Sequence, residues 1–261
     1  MQALKTAATG MQAQQMRVDV ISNNLANMST TGYNTRRAEF ADLHYRQIAQ
    51  PGTVTASNGA VLPTGVQLGL GVRTAAVTVE LQQGGLSSTG GDLDMAIEGG
   101  GYFEVTLPSG EAGYTRDGAF KRSADGLIVT SEGLELAPGI TIPNDARSIS
   151  INADGEVWAY FADQPEPQQL GQISLVNFTN PKGLEATGGN LFVETNASGP
   201  PIVGTPGVDG LGTVRQGYLE DSSVEAVREI TELIEAQRGY ALNAKVISAA
   251  DQMLGAMAQV R

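Results

Sequence analysis

Apolar residues recur at two different periods along this chain, and the change of period divides it into three parts. Near the start, Leu4, Met11, Val18 and Leu25 return every seven residues, with Ala7, Gln14, Ile21 and Met28 three positions further on. That spacing is the a/d seam of an amphipathic helix, interrupted once by Gln14, and it predicts a helix over 4–28 about 37 Å long. At the far end, Ile230, Leu233, Ile234, Tyr240, Ala244, Ile247 and Leu254 form one helical stripe, and Val246, Ala250, Met253, Met257 and Val260 form a second beside it. Ser222 followed by Glu225 has the spacing of a capping box, so this helix is expected from 223 to 260, roughly 57 Å long, with Gly239 as its weakest point.

Between these segments the period falls to two. The run "DLDMAIEGGGYFEVTLPSG" alternates apolar and polar residues around a glycine triplet. Asp125-Gly126 and Asp154-Gly155 stand between strand-like runs, where Asp-Gly is a strong hairpin signal, and "GNLFVET" adds a further strand. The segment "NASGPPIVGTPGVDGLG" reads as a soft linker, because Gly and Pro disfavour regular structure. Residues 35–74, which hold "QPGTVTASNGAVLPTG" and then the alternating "VQLGLGVRTAAVTVEL", read as extended chain with short strands. The expected class is α+β, with terminal helical segments 1–30 and 222–261 paired in a coiled-coil-like domain, an extended region 31–74 and a central all-β domain 75–221.

Composition supports that division and removes several kinds of chemistry. With 41% apolar residues the chain can build a core, while 33 glycines, 11 prolines and only 5% aromatics favour short strands and tight turns. Cysteine is absent, which excludes disulfides, thiolate metal sites and cysteine nucleophiles, and His44 is the only histidine. Asp92 and Asp94 share a strand face, yet no further catalytic group converges on them. The glycines of "EGGGYF" lack the Lys-Ser/Thr of a phosphate loop, and "DLDMAIEGG" lacks the spacing of a calcium loop. No enzyme, metal or cofactor is expected.

The net charge of −12 is unevenly spread. Residues 1–50 carry five Lys/Arg against three Asp/Glu, the last forty carry four against five, and the middle carries seven against twenty. An acidic centre argues against nucleic acid as a partner. No apolar run is long enough to span a bilayer, and the first twenty residues are broken by Thr6, Gln12, Gln14 and Gln15, so neither membrane insertion nor a cleaved signal peptide is expected.

A helix of about 57 Å is longer than the roughly 30 Å of a small domain, so part of it should protrude. With two apolar stripes it needs neighbours beyond one short partner helix. The end of the first helix raises its own question, since "ISNNLANMSTTGYN" crowds asparagines, indifferent helix formers, just where the helix should stop. "NNLANMSTTGYN", the amphipathic helix before it and the heptad helix ending "DQMLGAMAQVR" closely resemble the axial proteins of the bacterial flagellum, comprising rod, hook and hook-associated proteins. The resemblance covers the whole chain, and "LPTGVQLGLGVR", "GYTRDGAF", "TIPNDARSISI" and "VRQGYLE" look most like its distal rod members, with a proximal rod or short hook protein as the alternative. Many relatives carry a lysine after the aromatic residue of the signature, where this chain has Asn34 and Thr35 before Arg36 and Arg37.

That resemblance implies a structural subunit. It would leave the cell through the flagellar export apparatus and polymerise helically with copies of itself into a hollow tube. Proximal rod proteins, the hook protein and the surrounding P- and L-ring proteins would be its other partners, in a rod spanning the periplasm. The axial packing residues are then expected to be Leu4, Met11, Val18, Ile21, Leu25 and Met28 on the first helix and Ile230, Leu233, Ile234, Tyr240, Ile247, Met253, Leu254 and Met257 on the last. Asn23, Asn24 and Asn27 either tie the helix end to a neighbouring subunit or only cap it, and Gly32 would stop the helix and turn the chain outward.

Overall fold

The computed structural model describes residues 2–50, 64–162 and 166–259, with the side chains of 257–259 outside that description. The expectations for 51–63, Met257 and Val260 therefore fall outside the described side chains. The chain is α+β and separates into two compact units: one holds 1–26, 36–78 and 225–261, the other 27–35 and 79–224.

In the first unit α1 (Gln2–Ala26) packs against α2 (Ala226–Gln259). The helices run antiparallel, since Gly10 meets Asn243, Gln14 meets Gly239, Arg17 meets Glu232 and Asn24 meets Glu229. Four strands accompany them as two ribbons. Arg36–Asp42 pairs with Val72–Val79, and Tyr45–Ala49 pairs antiparallel with Val66–Gly69. The region read as extended chain thus carries paired strands that cluster with the helices. Val72 N–H donates to Thr9 Oγ1 of α1 at 3.3 Å.

The second unit is built from short antiparallel strands. Its largest sheet runs in the order Glu185–Gly188, Leu191–Val193, Ala112–Thr115, Tyr102–Thr106, Glu135–Leu136, Ile128–Val129, Lys121–Arg122, with Leu175–Asn177 joining Tyr102–Thr106 to Ile202–Gly204. A three-stranded sheet (Ala146–Ile151, Glu156–Phe161, Gln168–Gln172) and two ribbons complete it: Thr213–Gln216 with Met95–Glu98, and Tyr218–Glu220 with Leu86–Ser88. Alternation along Tyr102–Thr106 feeds two clusters. Phe103 and Val105 enter the main core with Met95, Ile128, Leu136 and Ile173, while Tyr102 turns the other way to Tyr114, Val176 and Phe178. Both Asp-Gly pairs sit in turns, Gly126 at φ +86° and Gly155 at φ +78°.

Three local expectations are corrected. The capping box does not form: Ser222 Oγ accepts from Val224 N at 3.3 Å, and Ser223 is held by Tyr33 and Thr35, whose N–H donates to Ser223 Oγ at 2.9 Å, so α2 starts only at Ala226. The glycine-proline segment near 200 is no soft linker. It contains the strand Ile202–Gly204, and Ser198, Pro206 and Leu211 are buried. α1 stops at Ala26, six residues before Gly32, with Thr30 N closing a turn onto Asn27 O at 3.1 Å. α2 runs unbroken through Gly239.

Candidate assembly interface

The intrachain face between the two helices is lined by small and polar side chains. α1 contributes Ala7, Gly10, Gln14, Arg17, Ile21 and Asn24; α2 contributes Glu229, Ala236, Gly239, Asn243 and Ala250. Small residues let the helix backbones approach closely. A Cβ on Gly10 would stand 2.9 Å from Asn243 Nδ2, and one on Gly239 would stand 3.1 Å from Gln14 Cδ. Arg17 reaches across to Glu232 at 3.1 Å and Glu235 at 3.8 Å, an exposed arrangement that contributes on the order of 1 kcal/mol or less.

Because the close contact uses small and polar residues, most of the large apolar side chains of α2 stay outside it. Ile234 is 45% exposed, Tyr240 45% and Met253 62%, with Ile230 and Leu254 also exposed; Leu233 and Ile247 are half-buried. On α1, Ile21 is buried, whereas Leu4, Met11, Val18 and Leu25 are half-buried and Met28 is exposed. The two registers of the α1 heptad are thus used differently. Ala7, Gln14 and Ile21, with Gln14 the apparent defect, lie toward α2, and the apolar register is left half open.

The asparagine run ends α1 in a clasp inside the same unit. Asn24 is 1% exposed; its Nδ2 donates to Arg36 O at 2.8 Å and to Glu229 Oε2 at 3.1 Å, and its Oδ1 accepts from Arg36 N at 3.0 Å. Asn24 therefore engages both its amide nitrogen and its amide oxygen within its own chain. Glu229, 3% exposed, is the buried partner that the pattern of apolar residues gave no reason to single out. Asn27 Oδ1 accepts from Thr30 Oγ1 at 3.2 Å, and Asn23 is solvent-exposed.

The rest of the signature, 27–35, belongs to the β unit. Gly32 takes φ +66° and its N–H donates to Glu220 O at 2.8 Å. A Cβ there would lie 2.8 Å from the Arg116 carbonyl carbon, so only glycine fits. Asn190 Nδ2 donates to Thr31 O at 3.1 Å, and Glu80 N–H donates to Thr35 O at 2.8 Å. Beneath this seat lies a buried ion pair, Arg116 Nε to Glu220 Oε2 at 3.5 Å, with Arg116 also donating to Gly99 O and lying over the Tyr102 ring. Burial pushes the Glu220 carboxyl up from its ordinary value, an effect that Arg116 and the Gly84 N–H partly offset.

None of this is catalytic geometry. Asp94 accepts from Thr89 Oγ1 and Asp92 O accepts from Gln216 Nε2, both tying down loops. Among the described residues no cluster of carboxylates and imidazole has metal-ligand spacing, and no helix is long and apolar enough to cross a membrane.

Comparison with known proteins bears on the same three regions. Residues 4–34 match the family described as flagella basal body rod protein, 96–159 the flagellar hook protein FlgE/F/G D1 domain, and 215–260 the flagellar basal body rod FlgEFG protein C-terminal. Over 261 residues, covering all of both chains, the sequence is 52% identical to the flagellar basal-body rod protein FlgG of Caulobacter vibrioides. The chain belongs to the FlgG family. FlgG of Agrobacterium fabrum is 48% identical over 97% of each chain. The flagellar hook-basal body complex protein FlhP of Bacillus subtilis, at 32% over the full length, is more distant than the FlgG of that organism at 38%. Membership in the FlgG family makes this a structural protein of the flagellar basal body, a distal rod subunit and not an enzyme. A proximal rod or short hook protein is not favoured.

Proposed function

We propose that this chain polymerises helically with copies of itself into a hollow shaft that transmits torque through the basal body to the hook. α1 and α2, with the strands of 36–78 beside them, form a coiled-coil-like inner layer, and the β unit forms the outer layer. The observation that carries this reading is the apolar surface that α2 leaves uncovered: Ile230, Ile234 and Tyr240 of one stripe and Met253 of the other are exposed in a single chain. Fully burying such a side chain is worth roughly 1.5 to 3 kcal/mol, so a lattice that covers four of them per subunit gains a large assembly energy. A head-to-tail contact whose rotation does not close generates an open filament.

Leu4, Met11, Val18 and Leu25 supply the facing apolar positions on α1, with Leu233, Ile247 and Leu254 opposite, in the same or adjacent copies. The acidic β unit turns a smooth, self-repelling exterior toward the P- and L-ring proteins. Proximal rod proteins adjoin one end of the polymer and the hook protein the other. The subunit travels through the flagellar export apparatus without a cleaved signal peptide, its helical ends gaining full order only on assembly. An electron micrograph of the concentrated protein tests the proposal: narrow, rigid tubes are expected, and single particles at every concentration would refute it.

A further inference from the structure

A cleft of about 1030 Å³ opens on the β unit, and its charge is of one sign. Glu104, Glu111, Glu185 and Glu194 line it, no lysine or arginine does, and none of the four is in an ion pair among the described residues. Ala112, Val193, Val203 and Pro201 supply apolar surface between them. Carboxylates alone would be an ordinary solvated face. Tyr114 distinguishes this one. It is 1% exposed and packs edge-on to Phe178 at 4.8 Å between centroids, yet it lines the cleft and its hydroxyl has no hydrogen-bond partner within the chain. Tyr114 stands directly across the strand pair from Glu104. Burial, with smaller contributions from Glu104 and Glu194, pushes the hydroxyl up to about 12, so it remains a donor in search of an acceptor. The cleft thus asks for positive charge, a carbonyl oxygen and aliphatic stems together, which an extended peptide segment bearing lysine and arginine supplies.

Such a segment stands at the opposite edge of the same sheet. Lys121–Arg122 is the last strand at one end, bonded only to Ile128–Val129, and Glu185–Gly188 is the last at the other. Both basic residues are exposed; Lys121 meets no carboxylate, and Arg122 donates to Asn144 Oδ1. The other adjacent basic pair, Arg36–Arg37, is less available, because Asn24 holds both the N–H and the carbonyl of Arg36. We propose that the acidic cleft of one β unit receives the basic edge strand Lys121–Arg122 of a second copy, and that this contact orients the β units in the polymer. The contact rests on the reading of the chain as a polymer subunit. Because cleft and basic strand are different patches at opposite edges, joining them is head-to-tail and leaves each copy free to bind the next. In other orientations the acidic units repel one another.

Two full-length variants with reversed charge at exposed positions test the contact: Lys121→Glu/Arg122→Glu and Glu185→Lys/Glu194→Lys. Each alone sets like charge against like, so the concentration needed to pellet polymer should rise at least about tenfold. An equimolar mixture alternates the two so that every junction is again complementary, and it should pellet like the wild type. If each variant alone pellets as readily as the wild type, Lys121 and Arg122 only guard a bare sheet edge, and the proposal is overturned while the shaft reading stands. Loss of assembly in both without rescue in the mixture would also overturn it. Should the wild type itself never pellet, the shaft reading fails separately, and zero-length carbodiimide cross-linking of a mixture of isotopically labelled and unlabelled wild-type chains decides the contact. Mixed-isotope links from Lys121 to Glu185 or Glu194 would uphold it, and their absence would overturn it.

Discussion

Gln14 and Gly239 share one site between α1 and α2. A Cβ on residue 239 would stand 3.1 Å from Gln14 Cδ and 3.2 Å from its Nε2. The residue that seemed to spoil the first helix's pattern and the one that seemed to weaken the second are complementary. Replacing Gly239 by Ala should stabilise the helix pair by less than about 1 kcal/mol, because the helix propensity gained exceeds the small retreat of a flexible side-chain end. Gly239→Leu should destabilise it, since its bulk leaves no room for Gln14. Thermal melts followed at 222 nm separate the two signs.

Glycine at position 32 is under a different constraint. Its φ of +66° and its approach to the Arg116 backbone leave no cheap adjustment, so Gly32→Ala should cost at least about 2 kcal/mol. Gly90, at φ +69° with open space around it, should cost only about 1 kcal/mol when changed to Ala. Chemical denaturation of the two variants compares the close contact with dihedral strain alone.

How far these constraints could be read in advance depended on whether the deciding contact was local. The terminal helices, the strand alternation around Phe103 and the two Asp-Gly turns were legible, because each follows from the period or chemistry of a few consecutive residues. Ser222 with Glu225 had the right spacing for a cap, but Thr35, nearly two hundred residues away, claims Ser223 and delays the helix. The segment around Ile202 resembled a linker because its strand pairs with Leu175–Asn177, a partner that composition does not reveal. Asn24 was visible as unusual; its partners Arg36 and Glu229 come together only in the folded unit.

The core of the β unit predicts a large, ordinary loss. Phe103 is fully buried, with its ring edge-on to Phe120 at 5.2 Å between centroids. Phe103→Ala should cost about 3 to 5 kcal/mol, read as a lowered melting temperature of the near-ultraviolet signal from Trp158 and the tyrosines of that unit.

Acid should favour the wild-type β unit relative to Asp117→Asn. Burial, with a smaller contribution from Asp94, raises the Asp117 carboxyl above its ordinary value, while the Ala119 N–H and Asn190 lower it. A carboxyl whose folded pKa exceeds its unfolded one contributes stability below the unfolded value and loses it as pH rises through the folded value. The difference in melting temperature, wild type minus variant, should therefore grow as pH falls from neutrality toward the carboxylate range. A flat difference would assign Asp117 no part in it.

Leu254→Asp should leave both the melting of the β unit and the α1–α2 contact nearly unchanged, because Leu254 is already 36% exposed in the single chain. Inside a lattice the same carboxylate would be driven into an apolar seam, which costs far more than a lost methylene. Sedimentation should find this variant soluble where the wild type pellets.

The central claim is that other copies cover the outer face of α2, and Met253→Cys reads it most directly, as the sole thiol in the protein. Met253 is 62% exposed in one chain. Maleimide labelling should be fast in dilute protein and strongly suppressed in the pelleted polymer. Equal rates in both states would contradict the account.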